Sequence, residues 1–222
     1  MTTLKKILLI SLLLVGKLYA QQELLWREVV KSSFVLSQIE NCKAVILSPV
    51  SWQTCQRVHY LSGMDSATLM GLHKGHRPKP ATYLCPNYIA VHLSTFAQGA
   101  SYIVPKDILD KYGRGLIGRP DNCQFVIPKE QMDCLLEQAN GSVAEIEAAL
   151  GVPHGKWAGR ELSRIDVPCP MDFHLRMPTG NEEGVNELWL PGGYLWQGYR
   201  EAIINQVPEG AYIETKIVTN DK

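Results

Sequence analysis

The stretch Tyr102-Ile103-Val104-Pro105-Lys106-Asp107-Ile108-Leu109-Asp110 and its near-copy Phe125-Val126-Ile127-Pro128-Lys129-Glu130-Gln131-Met132-Asp133 decide the fold class. In each, three apolar residues form a short strand and then meet a proline. That proline suits the first turn of a helix, where its missing N–H is one the helix leaves unbonded anyway. An acid two residues later suits the positive end of the helix dipole. The repetition reads as strand-to-helix punctuation recurring for stability, and two copies are too few for a solenoid.

Outward from this pair, short elements alternate. Upstream, Gln21 to Lys31 predicts a helix with Leu24, Leu25, Val29 and Val30 on one side, and Val45-Ile46-Leu47 a short strand. Arg57-Val58-His59-Tyr60-Leu61 alternates with the period of a half-buried strand. A short helix follows over Ser66 to Leu72, then the basic, proline-studded loop His73 to Pro80. Tyr88 to Leu93 predicts a strand that runs into Ser94-Thr95-Phe96. Downstream, the helix after Pro128 stops at Asn140-Gly141-Ser142, and a further helix spans Val143 to Leu150 before Gly151-Val152-Pro153. Strands are expected over Glu161 to Val167, Glu201 to Asn205 and Tyr212 to Val218. Short strands between short helices point to a single α+β domain. Its sheet is expected to be mixed, mostly antiparallel, and flanked by short helices rather than doubly wound. No G-x-G-x-x-G joins a strand to a helix, so a Rossmann dinucleotide site is not indicated.

Met1 to Ala20 reads as a secretory signal. Lys5 and Lys6 precede the apolar run Ile7 to Gly16, and Leu18-Tyr19-Ala20 ends in a small residue. The expected product is one mature domain, 21–222, exported to the periplasm or beyond the cell. Within it, 21–50 forms the N-terminal helix and strand, and 51–222 the core. The apolar run is shorter than the roughly 20 residues of a membrane span. After the leader's three lysines are removed, the mature chain carries 19 basic and 22 acidic residues, a net charge of −3. That balance lacks the basic footprint of a nucleic-acid binder. All six cysteines lie in the mature part, and an even number in an exported chain predicts disulfides. The expected pairs are Cys42–Cys55, Cys123–Cys134 and Cys85–Cys169.

The chemistry concentrates in Arg176 to Glu201, which crowds five glycines, two tryptophans, two tyrosines, two arginines and four glutamates into a segment with almost no helical period. It reads as a shaped loop that delivers side chains to a site. No G-x-S-x-G elbow is present. His73, His76 and His92 are the candidate metal ligands, but Lys74 and Arg77 repel a cation and no carboxylate is adjacent, so no metal is expected. Glu182, Glu183 and Glu187 lie close together, and Trp189, Tyr194 and Trp196 suit sugar faces, which admits glycan binding or hydrolysis.

The order of these residues resembles the bacterial ADP-ribosyltransferase toxins: an early Arg57 or His59, a middle Ser94-Thr95, a late Glu201. The late motif G-N-E-x-G-x-N-x-x-W-x-P-G-G, residues 180–193, also looks like the C-terminal toxin domains of secreted polymorphic toxins. The resemblance covers roughly Arg57 to Val218 and implies a sheet split around a cleft that holds NAD as co-substrate. It assigns Glu201 as the catalytic carboxylate. Arg57 or His59 would hold phosphate or ribose, Ser94 and Thr95 the cleft wall, and Tyr194 and Trp196 the nicotinamide. Partners implied are a target macromolecule and a neutralising immunity protein. Tyr199 stands where arginine-modifying members carry a second Gln or Glu, so a single-glutamate member or a plain NAD glycohydrolase is implied. The other classes admitted by the sequence are a secreted module that docks glycan or protein through the Trp/Gly-rich loop, and a secreted nuclease.

Overall fold

The computed structural model describes residues 58–186 and 188–220. The leader, the helix and strand expected over 21–50, Arg57, Glu187 and the Cys42–Cys55 pair lie outside the described residues. The elements, in chain order, are α1 (Ser66–Met70), a 3-10 turn (Pro80–Thr82), α2 (Pro86–Ser94), β1 (Ala100–Pro105), α3 (Lys106–Tyr112), β2 (Leu116–Ile117) and β3 (Gln124–Pro128). They continue as α4 (Lys129–Ala139), α5 (Val143–Leu150), β4 (Leu162–Val167), a 3-10 turn (Pro170–Phe173), β5 (Ala202–Ile204), β6 (Val207–Pro208) and β7 (Ile213–Lys216).

Five strands form one sheet in the order β5-β3-β1-β4-β7, and β2 pairs with β6 apart from it. All four pairings in the large sheet are antiparallel. The chain is therefore α+β with an antiparallel sheet. The two proline repeats are adjacent in space: Ala100 faces Pro128 and Ser101 faces Ile127 across β1 and β3. Pro105 and Pro128 each sit in extended backbone at the cap before α3 and α4, one position earlier than expected. There they end a strand, and the helix begins one residue later.

The central strand β1 is covered on both sides. Ile103 and Ile127 meet Met132, Leu135 and Ile146 from α4 and α5, while Tyr102, Val126 and Ile165 pack with Phe96, Leu109 and Ile204 on the opposite side. A third cluster joins Leu69, Tyr83, Leu84 and Met177, which ties α1 and the first 3-10 turn to the start of the glycine-rich loop. Helix α5 begins with Ser142 accepting a hydrogen bond from the Glu145 N–H, and Gly151 ends it in left-handed backbone.

Three expectations are corrected. Tyr88 to Leu93 is helical, not a strand. Pro86 begins the helix, and the rings of Tyr88, His92 and, just past its end, Phe96 follow at four-residue spacing in tilted contact. Around His59 there is no described strand beyond a single bridge, Tyr60 with Leu84. Cys85, Cys123, Cys134 and Cys169 are all free thiols, so Cys123–Cys134 and Cys85–Cys169 do not form. Cys85 is buried at the start of α2, whereas Cys134 and Cys169 are exposed, and among the described residues none of the four is bonded to another.

Candidate functional site

The glycine-rich loop holds its shape through a clasp with the basic loop 73–80, which the sequence presents as merely solvated. Asn181 Oδ1 accepts from Gly75 N–H at 2.8 Å and Arg77 N–H at 3.2 Å, and its Nδ2 donates to Arg77 C=O at 2.8 Å. Arg77 donates to Gly180 C=O at 2.7 Å, and its guanidinium carbon lies 4.2 Å from the Trp189 ring centroid. Lys74 donates to Glu183 C=O and Val185 C=O. Glu182 is buried and accepts from Thr179 N–H, Thr179 Oγ1–H and Gly180 N–H at 2.7–2.9 Å. Gly180 has φ +82°, and a Cβ there would lie 2.6 Å from the Trp189 ring. The G-N-E triplet is thus a lock that seats Trp189.

Beyond the clasp the chain turns at Gly192-Gly193, doubles back through a tight turn at 196–198, and runs on into β5. Tyr194 bridges Arg200, and Glu201 N–H donates to Gly193 C=O at 2.7 Å. Consecutive residues of extended backbone face opposite sides. Leu195 and Glu201 turn towards one hollow, and Tyr194 and Arg200 lie together on the other side.

The Glu201 side is a cavity of about 230 Å³ walled by Phe125, Val152, Trp157, Trp189 and Leu195, with an adjoining hollow of about 150 Å³ under β1 and β3. Trp196 and Leu188, 68% and 49% exposed, stand at its rim. Glu201 is only 9% exposed, and its carboxyl makes no hydrogen bond among the described residues. Burial, and then the charge of Glu182, raise its pKa to about 8. The group is therefore neutral at pH 7 unless a ligand supplies a positive charge or donors.

The Glu201 backbone is held from α2. His92 Nε2 lies 3.0 Å from Glu201 C=O, and since a carbonyl only accepts, Nε2 carries the proton. His92 is 2% exposed, and burial lowers its pKa to about 4, so it stays neutral. Gly193 fits beneath it at φ +74°. A Cβ there would lie 2.9 Å from both His92 Nε2 and Glu201 O.

On the opposite side, the Tyr194 ring meets the His92 edge at 5.5 Å between centroids and the Arg200 guanidinium at 6.0 Å. Tyr88 donates to Gly192 C=O at 2.6 Å and hydrogen-bonds Tyr194, and burial pushes its phenol far above the usual range. His59 is exposed and stacks on Tyr88, 6.2 Å between centroids.

Among the residues expected to form a site, Glu201 reaches a cavity and Trp196 its rim. His59 and Tyr194 gather on the other side around Tyr88 and Arg200. Arg57 lies outside the described residues. Ser94 and Thr95 do not form a cleft wall. Because their segment is helical, Ser94 Oγ bonds Val91 C=O and Thr95 Oγ1 bonds His92 C=O, each three residues back. Sequence reasoning missed Tyr88, Arg200 and Trp157, and weighed His92 only as a metal ligand. The signal for Tyr88 and His92 was present in the spacing Tyr88/His92/Phe96 after Pro86. Among the described residues no group of three or more His, Cys, Asp or Glu side chains is placed to hold a metal ion. No family model and no curated protein matches this chain.

Proposed function

We propose that this chain is an exported enzyme of the ADP-ribosyltransferase type that breaks the nicotinamide–ribose bond of NAD and passes the ADP-ribosyl group to water or to a target molecule, with Glu201 as its catalytic carboxyl. The observation that carries the reading is one buried carboxyl, without a hydrogen-bond partner among the described residues, in a hollow walled by Trp157 and Trp189. At about 230 Å³ the hollow suits a single planar ring, and the rest of a dinucleotide would lie along the surface past Trp196. The nicotinamide ring of NAD is cationic. Entering this cavity, it would stabilise the ionised form of Glu201, and the carboxylate would in turn stabilise the oxocarbenium character that develops at ribose. As the C–N bond breaks, its electron pair returns to the ring, nicotinamide leaves neutral, and water or a target nucleophile closes on the ribose carbon and loses its proton.

Single-carboxyl chemistry is favoured over the paired carboxylates of glycan hydrolysis. Glu182 accepts from three donors of its own loop and lines neither hollow. Glu183, its side chain 83% exposed, pairs with Arg119. A second reading, a secreted module that docks glycan or protein, draws on the exposed Trp196 and Leu188 at the rim.

Incubating the mature protein with NAD and measuring released nicotinamide tests the proposal. Wild type is expected to release it, and Glu201→Gln to lose about a hundredfold or more of that rate. Wild type that binds glycan or protein and leaves NAD intact would transfer the reading to the docking module.

A further inference from the structure

The proposed chemistry leaves one buried charge without a task. Every other described arginine has a hydrogen-bonded partner: Arg77 on Gly180 C=O, Arg114 on Glu214, Arg119 on Asp121, Arg160 on Asp107, Arg164 on Asp133 and Asp166, and Arg176 on Asn122 C=O. Arg200 has none. It is 7% exposed, its Nε is enclosed without a hydrogen-bond partner, and no ion pair reaches it among the described residues. The two terminal nitrogens are not fully enclosed in this way and keep some solvent contact. A guanidinium cannot shed its proton to escape burial, as a lysine or a carboxyl can. A desolvated, unpaired cation is costly to keep, and the structure around it is not improvised. Arg200 N–H is fixed by Gln131 Oε1 at 2.8 Å, and the guanidinium lies against Tyr194, itself hydrogen-bonded to Tyr88.

We propose that Arg200, backed by Tyr194 and Tyr88, is an oxyanion-binding site that takes the phosphoryl or carboxylate group of a ligand on the side of the 193–201 segment opposite the Glu201 cavity. The planar fork matches either group through two parallel N–H···O bonds. An anion there gives the cation the partner the protein withholds. Exposed His59, stacked on Tyr88, stands beside the same aromatic layer. The site is independent of what the Glu201 cavity cleaves.

The test is thermal unfolding of the full mature chain in inorganic phosphate, and separately in acetate, against sodium chloride of equal ionic strength. Phosphate is expected to raise the wild-type Tm by a few degrees. Arg200→Gln should abolish that rise while unfolding at or above the wild-type Tm in chloride, since it removes an unpaired buried charge. A rise in phosphate alone assigns a phosphoryl ligand, and a rise in both assigns oxyanions generally. The Arg200 Nε–H resonance in wild type, followed through a phosphate titration, gives the same answer without a variant. No rise beyond chloride in either salt and an unmoved Nε–H resonance, or a rise that Arg200→Gln retains, would overturn the site. Nicotinamide release enters none of these readouts, so this site and the NAD reading stand or fall separately.

Discussion

Residues 147–157 and 179–186 are each tied by a buried glutamate, whereas residues 193–201 bury a glutamate and an arginine whose side chains make no hydrogen bond among the described residues. Glu147 accepts from the backbone N–H groups of Gly155 and Trp157, and so shapes the turn that seats Trp157. Glu182 does the same for Thr179 and Gly180 beneath Trp189. In both places the carboxylate is held by donors of its own chain segment. Glu201 is as buried as Glu182, yet among the described residues its carboxyl has no such donors. Burial alone therefore does not distinguish framework from site in this protein. What distinguishes them is whether the polar group's partners come from the chain or must come from outside.

The comparison can be broken most directly by removing the tied acid. Glu182→Ala strands donors that the loop cannot re-pair, and is expected to cost about 3 to 5 kcal/mol in urea unfolding. Glu201→Gln should cost less than about 1 kcal/mol at pH 7, because the neutral amide replaces a carboxyl that is already neutral. Equal losses in the two variants would erase the distinction. Gly193→Ala is the next largest, about 2 to 4 kcal/mol. It adds the strain of a left-handed backbone to close contacts with Met177, His92 and the Glu201 carbonyl.

A pH series sharpens the contrast. Folding raises the Glu201 pKa from 4.5 to about 8, so its stabilising contribution is complete below pH 4.5 and is lost as the pH climbs to about 8. His92 runs the other way. Its pKa falls from 6.5 to about 4, so its contribution is complete above pH 6.5 and is lost as the pH drops to about 4. The two oppose each other between pH 4.5 and 6.5. Between 6.5 and 8 only the Glu201 loss remains, with a slope of up to about 1.4 kcal/mol per pH unit. Denaturant unfolding across that interval should show wild type declining relative to Glu201→Gln. The smallest effect is expected from Arg77→Ala, about 1 kcal/mol for the stacked cation and its hydrogen bond on Gly180, with Trp189 fluorescence shifting as the ring gains solvent.

The framework was more legible in the sequence than the site. The proline repeats, the Asn140-Gly141-Ser142 break and the alternating strand over 162–167 are local signals, and each marks its element within a residue or two. Helix α2 was misread because Tyr88-Ile89-Ala90-Val91 carries the aromatic and branched residues of a strand, while the decisive Pro86 at its first turn was passed over. Glu201 was singled out from the order of elements in the resemblance, with a glycine-rich loop leading straight into it. The clasp between Arg77 and Asn181 joins residues 104 apart, and nothing in either local stretch announces the other. The same holds for Arg200. Its isolation is a property of the folded neighbourhood, and an arginine beside a glutamate in sequence reads as a pair until their side chains are seen on opposite sides.

Direct titration of the Glu201 side-chain carboxyl by carbon-13 NMR, in the free mature protein and then with NAD, tests the central claim. A midpoint near pH 8 is expected without ligand, with a fall towards the ordinary carboxylate range when the cationic ring occupies the cavity. A midpoint near 4.5 in the free protein, unmoved by NAD, would mean that Glu201 already has its partner and that the hollow beside it is not a catalytic site.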